Sequence, residues 1–180
     1  MTIYICPGVH DRHLSQSCVQ ALNLPHHRYF VLPTDTYPPY SPFHVFQFLQ
    51  QQRSPQTPSS KDSLIFLSFS AGVVGAIGAA WTWRQLGGTV TAFLACDGWG
   101  VPLFGDFPIY RISHDLQTHR ESAFLGAGDG RFYADPPVSH LDLWERPDLA
   151  WGWRVTPGGS RSRTTAAEFI RDRLQTHGAL

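Results

Sequence analysis

Hydrophobic and polar positions along the chain alternate between two rhythms. Thr2 to Cys6 is a short apolar run of β-formers stopped by Pro7-Gly8, which predicts a strand and a tight loop. From Asp11 to Leu22, apolar residues at Leu14, Cys18, Ala21 and Leu22 recur at helical spacing. His26 to Leu32 reads as a second strand, closed by Pro33-Thr34-Asp35. Ser41-Pro42 is an N-cap followed by proline at the first helical position, and it opens a helix with Phe43, Phe46 and Leu49 on one face. A polar, Pro/Ser-rich stretch between Gln51 and Lys61 is expected to be a surface loop.

The pattern then changes abruptly. Leu64 to Phe69 is apolar throughout, as in a strand buried on both faces, and Ala71 to Leu86 is a Pro-free helical run that Gly87-Gly88 ends. Ser70 stands at the corner between them. Thr89 to Cys96 follows as a β-rich segment ending at Asp97-Gly98, and Ile109 to Ser113 as a shorter one ending at His114. Segment 119–130 carries little beyond its glycines and reads as irregular or weakly helical. Arg131 to Ala134 is expected to be the last strand, and residues 155–163, around Pro157-Gly158-Gly159-Ser160, a surface linker. Thr165-Ala166-Ala167-Glu168 has capping-box spacing and opens a final helix bearing Phe169, Ile170 and Leu174. Strands alternating with helices predict an α/β fold, a three-layer sandwich with a mostly parallel central sheet and helices on both faces. We expect one domain over residues 1–180.

Composition narrows the functional classes. The 14 Lys+Arg balance 14 Asp+Glu, so no basic footprint marks a nucleic-acid or anionic-membrane partner. No apolar segment is long enough to span a bilayer, and Pro7-Gly8 interrupts the N-terminal run too early for a signal peptide. Cys6, Cys18 and Cys96 are odd in number and set in apolar surroundings, which suits buried thiols in a reducing compartment, so a cytoplasmic location is expected.

In an open α/β sheet, ligands gather beyond the carboxyl ends of the strands. The residues just after each strand here are Pro7-Gly8-Val9-His10, then Ser70, Asp97, His114 and His140. A serine needs a base to become nucleophilic, the base needs an orienting acid, and the developing oxyanion needs preorganised donors. Each role has a candidate on this edge.

Those residues resemble the α/β-hydrolase superfamily. Ser68-Phe69-Ser70-Ala71-Gly72 at a strand-to-helix corner is similar to its G-x-S-x-G nucleophile elbow, with Ser68 in place of the first glycine, and Ser, Asp and His follow in the family's chain order. The resemblance implies a reduced, cap-less member lacking the leading antiparallel strands. Ser70 would be the nucleophile, His140 in Ser139-His140-Leu141-Asp142 the base, and Asp97 the acid. The acid would follow the strand immediately after the elbow, a less usual place. Backbone amides of Val9 or His10 and of Ala71 would bind the oxyanion. The implied activity is a serine hydrolase (esterase, thioesterase or lipase-like) or an acyltransferase acting on an apolar ester or thioester, with Trp99, Leu103, Phe104 and Phe107 walling the acyl pocket.

Alternatives stay open on the residues alone. His114 competes with His140 as base, Asp115 with Asp97 as acid, and Asp135 or Asp142 could serve if the strand order is misread. Ser70 could simply cap the following helix. Gly72, Gly75 and Gly78 do not form G-x-G-x-x-G and no Gly-Lys-Ser/Thr follows, so no cofactor is expected; they would let the helix lie close against the sheet. His10, His13, Cys6, His26 and His27 match no recognised zinc spacing, so no metal is expected. The second functional class is a non-catalytic binding module of the same fold, contacting a protein partner through exposed aromatics near the C-terminus.

Overall fold

A computed structural model of the chain describes residues 1–52 and 63–180. Of the polar loop expected between Gln51 and Lys61, all but Gln51 and Gln52 lies outside the described residues. In chain order the elements are β1 (Thr2–Cys6), α1 (Arg12–Ala21), β2 (Tyr29–Val31), α2 (Pro42–Gln51), β3 (Ser63–Phe69), α3 (Ala71–Gln85) and β4 (Thr89–Cys96). They continue with β5 (Ile109–Ser113), α4 (Leu116–Ala123), β6 (Gly130–Ala134), α5 (His140–Glu145), β7 (Trp151–Val155), β8 (Arg161–Thr165) and α6 (Ala166–Thr176). The second strand is shorter than the expected His26 to Leu32, because His26–Arg28 forms a 3₁₀ turn before it.

The eight strands among the described residues join one sheet in the order β2-β1-β3-β4-β5-β6-β7-β8. The pairs from β2 to β6 are parallel, and β7 and β8 add an antiparallel hairpin at one edge. Helices cover both faces. The period-two alternation of the strands splits the core accordingly. Ile3, Ile5, Ile65, Leu67, Phe69, Leu94 and Ile112 face α1, α5 and α6, whereas Tyr4, Cys6, Leu64, Phe66, Phe93 and Ala95 face α2 and α3. Among the described residues, no helix is long and apolar enough to cross a membrane.

Two expectations need correction. Arg131 to Ala134 is not the last strand, and residues 155–163 are not a linker. They are the end of β7, a turn, and the start of β8, with Thr156 N–H donating to Ser160 O at 3.0 Å and Gly159 supplying the left-handed residue at φ +81°. The C-terminal capping box is formed as expected: Thr165 and Glu168 reciprocally bond each other's backbone N–H.

The glycines of α3 permit close approach to the end of β1, to the loop before α2 and to the first residue of α2. A Cβ on Gly72 would lie 2.1 Å from Cys6 O and 2.4 Å from Pro7 O, and one on Gly75 2.1 Å from Pro39 O. The first turn of α3 is thereby held against the loop leaving β1.

Candidate active site

Ser70 follows the buried strand β3 with φ +53° and ψ −124°, a conformation that L-residues rarely adopt. Its backbone is held there from both sides: Ser70 N–H donates to Cys96 O at 2.9 Å, and Ser70 O accepts from Val73 N–H at 3.1 Å. The side chain makes no capping bond to α3. Its hydroxyl turns away from the helix and lies 3.1 Å from His140 Nε2.

His140 is the first residue of α5, whose N-cap Ser139 accepts from Asp142 N–H. Its ring stacks on Phe69, with centroids 4.6 Å apart at 26°, and Phe69 in turn stacks on buried Trp144 at 4.9 Å and 10°. This aromatic pile fixes the imidazole plane. The ring's Nδ1–H donates to Asp97 Oδ2 at 2.8 Å, which leaves the Nε2 lone pair facing Ser70.

Asp97 directly follows β4 and also has a positive φ, +48°. Its N–H donates to Ile112 O at 2.7 Å, and its side chain is fully buried. The carboxylate has a second imidazole on it. His114, just after β5, donates its backbone N–H to Oδ1 at 2.9 Å and its ring Nδ1–H to Oδ2 at 2.8 Å. The register Cys96↔Ile112 between β4 and β5 brings the two strand ends together. The hydrogen bond to Asp97, against partial burial, raises the His114 pKa above the ordinary histidine value. Burial lowers that of His10, whose ring packs edge-on to Phe69 at 5.6 Å.

The other candidates find different roles. Asp115 is the N-cap of α4, accepting from Thr118 N–H at 2.6 Å, and its Oδ2 lies 3.4 Å from His114 Nε2. Asp135 accepts from Trp153 Nε1–H and Asp142 from the Ser139 hydroxyl. Ala71 opens α3, so its N–H has no acceptor within the helix. The Pro7–His10 loop passes directly over the nucleophile, since a Cβ on Gly8 would meet Ser70 Cβ; the Val9 side chain on it is exposed.

A cleft of about 570 Å³ opens beside Ser70 and His140. Val74, Trp99 and Val101 line one part of it, and Asp115, Gln117, Thr118 and Glu121 another. Of the four aromatic and aliphatic residues expected to wall an acyl pocket, Trp99 lines this cleft. Leu103 and Phe107 are instead buried in the core beneath the loop, and Phe104 packs on Trp81 at 5.0 Å, away from Ser70. Long loops can bury their apolar residues under themselves, which composition alone does not distinguish from a ligand wall.

The wall contributed by α4 was not foreseen. Its available signal was Asp115 three residues before Thr118, an N-cap spacing. A separate cleft of about 440 Å³ lies on the other side of the Pro7–His10 loop, bounded by His10, Val19, Tyr29 and Leu32.

Asp97, His114 and His140 are close enough together to hold a metal ion. Yet both Nδ1 atoms sit at hydrogen-bond distance from one carboxylate oxygen, an arrangement of N–H donors around an acceptor. No protein-family model matches the chain, and no curated protein matches it significantly.

Proposed function

We propose that this chain is a serine hydrolase or acyltransferase of the α/β-hydrolase type, using Ser70, His140 and Asp97 on an ester or thioester. One observation carries the reading: Ser70 Oγ lies 3.1 Å from His140 Nε2 while His140 Nδ1 lies 2.8 Å from the buried Asp97 carboxylate. Ser70 Oγ attacks the acyl carbonyl carbon as its proton passes to His140 Nε2. The resulting imidazolium is stabilised by Asp97. The carbonyl oxygen, now negative, meets the N–H of Ala71 and that of Val9 or His10. His140 returns its proton to the departing alkoxide or thiolate, leaving acyl-Ser70. Water then attacks the acyl-enzyme in a hydrolase, or an alcohol or thiol in an acyltransferase; His140 accepts the attacking group's proton and returns it to Ser70 Oγ as the acyl–oxygen bond breaks.

The acyl part of an apolar substrate would lie along Val74, Trp99 and Val101, with the polar residues of α4 opposite. Three buried free thiols favour a reducing, cytoplasmic setting. The balanced charge offers nothing to a nucleic acid.

The non-catalytic alternative has exposed Leu149 and Trp151 in its favour as a protein-contact surface. It leaves the positive φ of both Ser70 and Asp97 without a purpose, and it gives no reason for Ser70 Oγ to lie within hydrogen-bond reach of His140. A fluorophosphonate probe tests the choice. The wild type should label on one serine, Ser70→Ala not at all, and His140→Asn about 10³-fold more slowly. A wild type that does not label, or a Ser70→Ala protein that labels equally, overturns the reading.

A further inference from the structure

Asp97 carries more than the proposed triad requires. Its Oδ2 accepts from two imidazoles at the same distance, 2.8 Å each, and its Oδ1 from the backbone N–H of one of them. His114 therefore makes two of these three hydrogen bonds. The carboxylate is fully buried while the His114 side chain is 22% exposed, so the pair lies at the boundary of the protein interior, where charge is weakly screened.

The state of the His114 ring follows from what faces its two nitrogens. Nδ1 meets Asp97 Oδ2, and Nε2 meets Asp115 Oδ2 at 3.4 Å. A neutral imidazole has one N–H and would turn the lone pair of its other nitrogen toward a carboxylate. An imidazolium satisfies both. The groups facing it are Asp97 at the end of β4, Asp115 capping α4, His140 on α5 with ring centroids 6.0 Å apart, and Glu121 across the cleft.

We propose that His114 is a positioning residue that, as an imidazolium, clamps the Asp97 carboxylate and divides its charge with His140. The proposal rests on the Ser70-His140-Asp97 reading above. Two cations compete for one carboxylate during the proton transfer from Ser70. With His114 charged, the imidazolium formed on His140 gains only part of the stabilisation that an unshared Asp97 would give. Probe labelling, which needs the Nε2 lone pair of His140 facing Ser70, should therefore persist further into acid than it would beside an unshared carboxylate. The raised pKa of His114 is consistent with this state.

The test is the pH dependence of probe labelling between pH 5 and 9 for the wild type, His114→Asn and Asp115→Asn. Asparagine at 114 keeps a donor for Asp97 and removes the charge. The acidic limb should then move to higher pH by about half to one unit, with the alkaline plateau within a few-fold of wild type. Asparagine also caps helices as well as aspartate, so Asp115→Asn keeps α4 while removing the carboxylate opposite Nε2. It should move the limb in the same direction by less. A limb that stays in place while the plateau falls means that His114 only holds Asp97 in position, and overturns the charge-sharing role. So does an NMR titration in which the His114 ring carries a single N–H at pH 6. A wild type that labels at no pH overturns the triad itself, and this inference with it, which separates the two failures.

Discussion

A Cβ placed on Gly8 would stand 2.9 Å from Ser70 Cβ and 3.3 Å from the Phe69 ring. Neither neighbour can give way easily. Ser70 is fixed by backbone bonds to Cys96 and Val73, and Phe69 is fully buried and stacked under His140. The Pro7–His10 loop must move instead, and it carries the proposed oxyanion donor. Gly8→Ala should therefore slow probe labelling by about 10²-fold, the scale of losing one oxyanion donor, while a cooperative melting transition persists. Labelling at the wild-type rate would remove this loop from the oxyanion site.

The positive φ of Ser70 makes an opposite prediction for stability. Ser70→Ala and Ser70→Gly both delete the hydroxyl, yet only glycine adopts this backbone without strain. We expect Ser70→Gly to be more stable than Ser70→Ala by about 1 kcal/mol in urea unfolding, although glycine has the freer unfolded chain. Neither should label. Equal stabilities would mean that the corner stores no backbone strain.

The parts of the fold visible in the sequence are those where burial writes a regular pattern. The alternation of β1, α1, β2, α2, β3, α3 and β4 was legible because strands in the middle of a parallel sheet are apolar on both faces. The elbow was legible for a related reason: it joins the most apolar strand to a helix rich in small residues. At the sheet edge the pattern fails. In β8, Arg161, Ser162 and Arg163 are exposed, so the strand shows no hydrophobic period and its turn looks like a linker. In α4 the buried residues are Thr118, His119 and Ser122, which hides a helix from any apolar count. The sharing of Asp97 by two histidines depends on the β4–β5 register, a tertiary fact that no local pattern encodes.

That polar face of α4 has a consequence for acid stability. His119 is 7% exposed, packs tilted against Tyr133 with ring centroids 4.8 Å apart and has no hydrogen-bond partner at Nδ1 among the described residues. Burial, together with Arg131, Arg161 and Arg120 nearby, lowers its pKa to about 4. The ring is neutral in the fold and takes a proton more readily when unfolded. Stability attributable to His119 is thus present above pH 6.5 and is lost as pH falls from there toward about 4. His119→Phe keeps a ring against Tyr133 and cannot protonate. Its melting temperature should fall less than that of the wild type between pH 7 and pH 4.5; parallel declines would contradict the assignment.

Arg111 bears on the cleft wall. It is 2% exposed on β5, and its guanidinium donates to the carbonyls of Gly98, Val101, Leu125 and Gly126. Burial lowers its pKa only to about 10, so it stays charged at neutral pH. Four carbonyls from two loops converge on one planar fork, and one of those loops runs from Asp97 through Trp99 to Val101 beside Ser70. Arg111→Met removes the side-chain donor from all four, of which the Gly98 and Leu125 carbonyls keep the N–H of Val101 and of Leu103, and should cost about 3 kcal/mol. Arg111→Lys keeps the charge but cannot reach four acceptors at once. It should lose less stability and still loosen the Trp99 wall. Ester turnover by Arg111→Lys should then show a rise in KM larger than any fall in kcat, because the guanidinium hydrogen-bonds the carbonyls of the cleft loops rather than the side chains of Ser70, His140 or Asp97. A fall confined to kcat would instead mean that Arg111 acts through Asp97, whose strand end it borders.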